Sequence, residues 1–158
     1  MAVILHLETA TTVCSVALAK DGKLLALKEQ NGDYSHAENL TVFIEDVLKQ
    51  AGIALSSVDA IAISKGPGSY TGLRIGVSTA KGLCYSLNKP LIAIDTLQYL
   101  ALGVSQTQNL TSDIPHLASL FCPMIDARRM EVYCAVYDQL GKEIKHTAAE
   151  IIDEHSFS

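Results

Sequence analysis

The 158-residue sequence has no Cys-x-x-Cys spacing, no two histidines three or four positions apart, and no Gly-x-Ser-x-Gly elbow. The first absence speaks against a zinc knuckle or a disulfide framework. Cys14, Cys84, Cys122 and Cys134, all in apolar contexts, are therefore expected as buried free thiols. The second absence removes the usual metal site on a helix, and no metal is expected. The third removes the usual setting of a serine nucleophile, and Cys14, alternating with apolar neighbours, suits a core better than catalysis. Basic charge is also scarce, with 12 Lys and Arg against 17 Asp and Glu and a net charge of −5. Such a chain is poorly suited to hold a nucleic-acid backbone alone, so any tRNA or other RNA role needs a basic partner. No apolar run nears the roughly 20 residues of a membrane span. Residues 1–8 carry no basic region ahead of their apolar run, so they read as a strand and not a signal peptide, and the expected address is cytoplasmic.

What is present is a globular composition, 49% apolar and 18% charged, enough for one domain or two small subdomains. Residues 3–7 and 14–19 are β-prone runs joined by Glu8-Thr9-Ala10-Thr11-Thr12, and Lys20-Asp21-Gly22-Lys23 turns into a third run at 24–27. Ser35-His36-Ala37-Glu38 is a capping box, followed by Leu40, Phe43, Ile44, Val47, Leu48 and Ala51 at helical spacing and by Gly52 as a stop. Residues 58–64 read as a buried strand, 71–87 as a helix closed by Asn88-Lys89-Pro90, 91–94 as a strand and 96–103 as a helix. The expected order is β-β-β-α-β-α-β-α.

Composition turns polar over 105–116, which predicts a first subdomain of 1–104, a linker at 105–117 and a second subdomain of 118–158. In the second, 120–125 and 132–137 read as strands. Ile125-Asp126-Ala127 leads into its strand as Leu7-Glu8-Thr9 leads into residues 14–18, a repeat that points to duplication. The second copy stops after its hairpin, with 148–158 at most beginning another element, so the second half is expected to be truncated.

Gly66, Gly68, Gly72 and Gly76 stand between a strand and a helix, where backbone N–H groups can meet an anion. The spacing fits neither the Walker loop nor the dinucleotide fingerprint, and a tight Gly66-Pro67-Gly68 turn with close helix packing explains it equally well. Glu8, next to Thr9, Thr11 and Thr12, could hold a magnesium-bound water or simply end a strand. Glu8, Thr9, Gly66, Gly68 and Ser69 are the phosphate-contact candidates, and no catalytic residue stands out. On the 71–87 helix, Leu73, Val77, Ala80, Cys84 and Leu87 form one stripe and Gly72, Ile75, Thr79, Gly82 and Ser86 another, with Gly76 and Leu83 between. The uncharged arc, about 220°, exceeds what one buried face needs. The small-residue stripe suits a second helix, either the helix over 40–51 or a partner's.

Three segments, Leu7-Glu8-Thr9-Ala10-Thr11, Gly66-Pro67-Gly68-Ser69-Tyr70-Thr71-Gly72-Leu73-Arg74-Ile75-Gly76 and Ile125-Asp126-Ala127-Arg128-Arg129-Met130-Glu131-Val132-Tyr133, resemble the bacterial TsaB (YeaZ) family. The resemblance implies an α/β fold of the actin-like (ASKHA, ribonuclease H-like) superfamily that includes sugar kinases, built from duplicated β-β-β-α-β-α-β-α subdomains. It implies a role in making threonylcarbamoyladenosine beside the anticodon of ANN-decoding tRNAs, as the non-catalytic partner of the transferase TsaD. A TsaE-type ATPase completes that assembly, and the chain pairs with itself when TsaD is absent. TsaD relatives carry a His-x-x-x-His metal pair after the strand that follows the glycine-rich helix, and here the two places fall on or near Thr96 and Leu100. The family's late adenosine site has no counterpart within these residues, so no cofactor is expected for this chain alone. The implied interface comprises Gly72, Ile75, Gly76, Thr79, Gly82, Leu83 and Ser86. The alternatives are an enzyme in its own right, a kinase-like ATPase or a glycoprotease-type peptidase, and direct tRNA binding through Lys20, Lys23, Arg74, Lys81, Arg128 and Arg129.

Overall fold

In the computed structural model, residues 1–32, 36–108, 119–154 and 156 are described. They form two compact units, Met1–Ile94 and Asp95–Ser158.

The first unit begins with three strands, β1 (Val3–Glu8), β2 (Val13–Lys20) and β3 (Lys23–Asn31). Strict alternation puts Val3, Leu5 and Leu7 on one face of β1 and Cys14, Val16 and Leu18 on the same face of β2, all buried. Antiparallel pairing aligns them, Leu5 opposite Leu18 and Leu7 opposite Val16. Helix α1 (His36–Ala51) covers that face with Leu40, Phe43, Ile44, Val47 and Leu48. Each of these, fully buried, contributes about 1.5–3 kcal/mol. Gly52 ends the helix at a φ of 64°, and Ile53 N–H reaches back to the Leu48 carbonyl at 3.0 Å. Ser35, the expected cap, lies outside the described residues.

Strand β4 (Ala60–Gly66) runs parallel to β1, with Leu5 beside Ile61 and Leu7 beside Ile63. Its residues 60–64 are buried on both faces, as the unbroken apolar run foretold. Helix α2 (Tyr70–Leu87) follows, capped by Ser69 and closed by Asn88 in the left-handed region, whose N–H meets the Cys84 and Tyr85 carbonyls. The helix thus stops at Asn88, ahead of Pro90. Strand β5 (Leu91–Asp95) completes a sheet in the order β3-β2-β1-β4-β5. The element order is the expected one.

The second unit holds α3 (Thr96–Gln108) and a sheet of β6 (Met124–Arg128), β7 (Glu131–Tyr137) and β8 (Glu143–Ile151). Leu97 and Ala101 of α3 bury against Ala135 and Tyr137, which is why α3, expected with residues 1–104, packs here. Asp95 caps α3, its Oδ1 accepting from the N–H groups of Leu97 and Gln98 at 3.1 and 3.3 Å. The helix runs on into the polar stretch, and residues 109–117 of the expected linker lie outside the described residues.

Three local expectations are corrected. The strand expected at 120–125 begins only at Met124, because Pro123 has no N–H to give the ladder and Phe121 makes an isolated bridge to Tyr137. Strand β8 was not foreseen: its polar, mostly exposed residues carry no alternation strong enough to read. Of the thiols, Cys14 and Cys134 are buried, but Cys84 is half-buried on α2 and Cys122 is exposed just before β6.

Candidate functional site

The β1–β2 turn and the loop after β4 meet at one end of the first sheet. Parallel pairing of Leu7 with Ile63 sets Glu8 next to Ser64, and the Ser64 hydroxyl donates to Glu8 Oε2. The other carboxylate oxygen, Oε1, accepts from the Ala10 N–H at 2.6 Å. The Ala10 carbonyl in turn accepts from the Ser69 N–H at 2.6 Å. That approach is possible because residue 68 is glycine: a Cβ there would lie 2.3 Å from the Ala10 oxygen. Gly68 has a φ of 156°, Gly66 a φ of 110°, and the Gly66–Pro67 peptide is cis. Ser69 Oγ accepts from the Gly72 N–H at 3.3 Å, so this one residue both ties the loop to the hairpin and starts α2.

Of the five phosphate-contact candidates, the structure brings Glu8, Gly68 and Ser69 into this single joint. Gly66 turns the chain beside Leu73. Thr9 is fully buried, its Oγ1 without a hydrogen-bond partner, and faces Gly76, where an added Cβ would sit 2.3 Å from it. The missed members are Ser64 and Ala10, and only the register of β1 against β4 could have pointed to Ser64. Chemically, the joint is occupied by its own bonds: the Glu8 carboxylate and the Ser69 N–H, the groups suited to a hydrated cation and a phosphate, are already engaged. On the same face of β1 as Glu8, His6 has its pKa lowered by burial, which favours the neutral imidazole.

The corresponding turn of the second unit is built differently. Asp126 Oδ1 accepts from the Arg128 N–H at 2.7 Å, and Arg128, Arg129 and Met130 all take positive φ, at 70°, 54° and 63°. Lys20 and Lys23 flank the β2–β3 turn, at the opposite end of the sheet from Glu8, and Arg74 lies over the Tyr70 ring at 5.5 Å. Within the first unit, Lys20 and Lys23 therefore stand at the other end of the sheet from the start of α2, where Arg74 lies.

The stripes of α2 divide otherwise than expected. Gly72, Gly76 and Ala80 are the buried line against the chain's own sheet, with Gly76 pressed on Thr9 and Ile63. Gly72 and Gly76 are therefore turned inward and unavailable to a partner. Ile75 and Leu83 pack partly on the core, Thr79 is half-buried, and Gly82 and Ser86 are exposed beside Tyr85. In the second unit, Thr96 is buried at the start of α3 and Leu100 is half-exposed one turn on. Among the described residues no three His, Cys, Asp or Glu side chains gather as a metal site would require.

Comparison with known proteins matches residues 30–156 to the family model of TsaD, tRNA N6-adenosine threonylcarbamoyltransferase. The chain is 36% identical over 143 residues to the tRNA threonylcarbamoyladenosine biosynthesis protein TsaB of Escherichia coli (strain K12), covering 90% of this chain and 58% of that protein. It spans between half and three fifths of the curated TsaB relatives from E. coli, Haemophilus influenzae and Bacillus subtilis. Among solved structures, YeaZ from Pseudomonas aeruginosa superposes with a TM-score of 0.80 at 35% identity, over 96% of this chain and 68% of that one. The ROK hexokinase of Thermus thermophilus, at a TM-score of 0.51 and 16% identity over 85% of this chain and 46% of that one, shares the fold alone. The actin-like α/β fold class expected from the sequence agrees with both.

Proposed function

Because this chain belongs to the TsaB (YeaZ) family of tRNA threonylcarbamoyladenosine biosynthesis proteins, we propose that it acts as a non-catalytic partner of a TsaD-like threonylcarbamoyltransferase. The observation that carries this reading is the closed joint around Glu8. Both carboxylate oxygens and the Ser69 N–H are spent on Ser64 and Ala10. A magnesium-bound water or a phosphate entering there would first have to break internal hydrogen bonds, leaving partly buried donors unpaired at about 1–3 kcal/mol each. The chain then needs no cofactor of its own, and the chemistry belongs to the partner. The net charge of −5 fits a subunit that meets tRNA only through its complex. A TsaE-like ATPase joins the same assembly, which works in the cytoplasm. No described helix is long and apolar enough to cross a membrane.

The partner face is the outward side of α2, reduced from the expected set to Gly82 and Ser86 with the exposed edges of Ile75, Thr79 and Leu83. The same face pairs two copies when the transferase is absent. Nothing lies within 4 Å of a Cβ built on Gly82, so a large side chain there leaves the fold intact and blocks only what docks outside.

The test is reconstitution of the full chain with a TsaD-type transferase, a TsaE-type ATPase and a source of threonylcarbamoyl-adenylate, measuring modified adenosine in tRNA. Gly82→Arg and Ser86→Arg should abolish co-elution with the transferase and lower modification at least tenfold, with a melting temperature that does not fall. Retained co-elution would reject the α2 face. ATP turnover by the chain alone, lost on Glu8→Ala, would replace the partner reading with the kinase-like one.

A further inference from the structure

Two thiols lie together in the second unit, away from everything used above. Met124 pairs with Cys134, and the isolated bridge pairs Phe121 with Tyr137. The Phe121–Tyr137 bridge continues the register of the Met124–Cys134 pair, so Cys122, which lies between them, falls diagonally across from Cys134 on one side of the hairpin. The opposite side, with Phe121, Ala135 and Tyr137, packs on α3. The nearness of the two thiols follows from this register. Their accessibilities differ: Cys122 is exposed, whereas Cys134 is buried.

We propose that Cys122 and Cys134 form an oxidation site, which a peroxide converts to an intrachain disulfide that clamps residues 121–123 onto β7. The Cys122 thiolate attacks a peroxide oxygen, the O–O bond breaks, and the leaving oxygen takes a proton to depart as water or alcohol. This leaves a sulfenic acid on Cys122. The Cys134 thiol then gives up its proton and attacks the Cys122 sulfur, and the sulfenic oxygen leaves as water. Two thiols lose two electrons, and the peroxide gains them. Burial holds the Cys134 pKa up, which makes the second step the slower one.

The geometry allows closure. Diagonal cross-strand neighbours lie about 7–8 Å apart at Cα, and a disulfide spans up to about 6.8 Å, so the segment must move inward by about 1 Å. Little resists this movement: Phe121 is tied to Tyr137 by one reciprocal pair of hydrogen bonds, 2.8 and 2.9 Å, and Pro123 has no N–H to tie.

The experiment treats the full chain, folded and reduced, with hydrogen peroxide and follows thiol titre, intact mass and non-reducing peptide maps. Two of the four thiols should disappear, the mass should fall by about 2 Da, and one peptide should join Cys122 to Cys134. Dithiothreitol should reverse all three changes. Cys122→Ser, at an exposed position, should keep Cys134 reduced throughout, and Cys134→Ala should leave Cys122 as a sulfenic acid that dimedone traps. Should Cys134→Ala fail to fold, the Cys122→Ser result with the wild-type peptide map decides. A stable sulfenic acid on Cys122 in the wild type, a Cys122-linked dimer, or no loss of thiol would each overturn the proposal.

Discussion

Gly76 and Gly82 sit in the same helix, and replacing each by alanine should move stability in opposite directions. Glycine in a helix interior costs about 0.5–1 kcal/mol relative to alanine, and this intrinsic gain is common to both substitutions. At Gly82 nothing lies within 4 Å of the new Cβ, so Gly82→Ala should stabilise by about that amount. At Gly76 the new methyl would fall 2.3 Å from Thr9 Oγ1 and 2.9 Å from Ile63 Cδ1. Thr9 is β-branched and fully buried, so the one χ1 rotamer that turns its hydrogen toward the new methyl moves Oγ1 and Cγ2 against neighbours that already fill the site. Overpacking of this kind costs about 1–3 kcal/mol, which outweighs the helical gain. The two variants should therefore differ by about 1–3 kcal/mol. With a urea m-value near 2 kcal/mol/M, this separates their midpoints by about 0.5–1.5 M. Combining Gly76→Ala with Thr9→Ala removes the obstructing atoms and should recover at least half of the loss, a coupling that a double-mutant cycle reads directly. If Gly76→Ala stabilised the chain as Gly82→Ala does, α2 would not rest on the hairpin through residue 76, and the inward assignment of that glycine would be wrong.

Three further outcomes follow from the same physical reasoning. Asp95→Ala, which uncaps α3, should destabilise the second unit by about 1–2 kcal/mol in thermal unfolding, while Asp95→Asn keeps the acceptor and most of the stability. His6 has a folded pKa below its unfolded 6.5, so the unfolded chain binds the proton first, and stability present above pH 6.5 should be lost as pH falls toward the folded value. His6→Leu should remove that part of the pH dependence in urea titrations. Tyr137 is held above its usual 10 by burial first and by the Asp95 carboxylate second, so stability should fall as pH rises past 10, and Tyr137→Phe should flatten the alkaline limb.

The sequence was most legible where one physical cause acts over several residues. Alternation in β1 and β2, the apolar run of β4 and the stripe of α1 each declare which way their side chains point, and the element order followed. It was least legible where meaning depends on a distant partner. Gly72 looked like part of a second stripe, with Gly76 between the two, because the helix alone does not say which side meets the sheet; the contacts of residue 76 with Thr9 and Ile63 and the burial of residue 72 decide that. Ser64 gained its role only from the pairing of β1 with β4. Strand β8 escaped because an edge strand with polar side chains is held by backbone bonds to β7, which leave no pattern in residue type.

The contact between Ala10 and Gly68 also restricts how the sequence can change. A side chain at position 68 would push away the carbonyl of position 10, and with it the bond that Ser69 makes there. Substitution at 68 therefore becomes tolerable only after the hairpin turn has been redrawn, and a redrawn turn removes the reason for glycine at 68. Across relatives, the two segments should be inherited as a pair, each exchanged only together with the other.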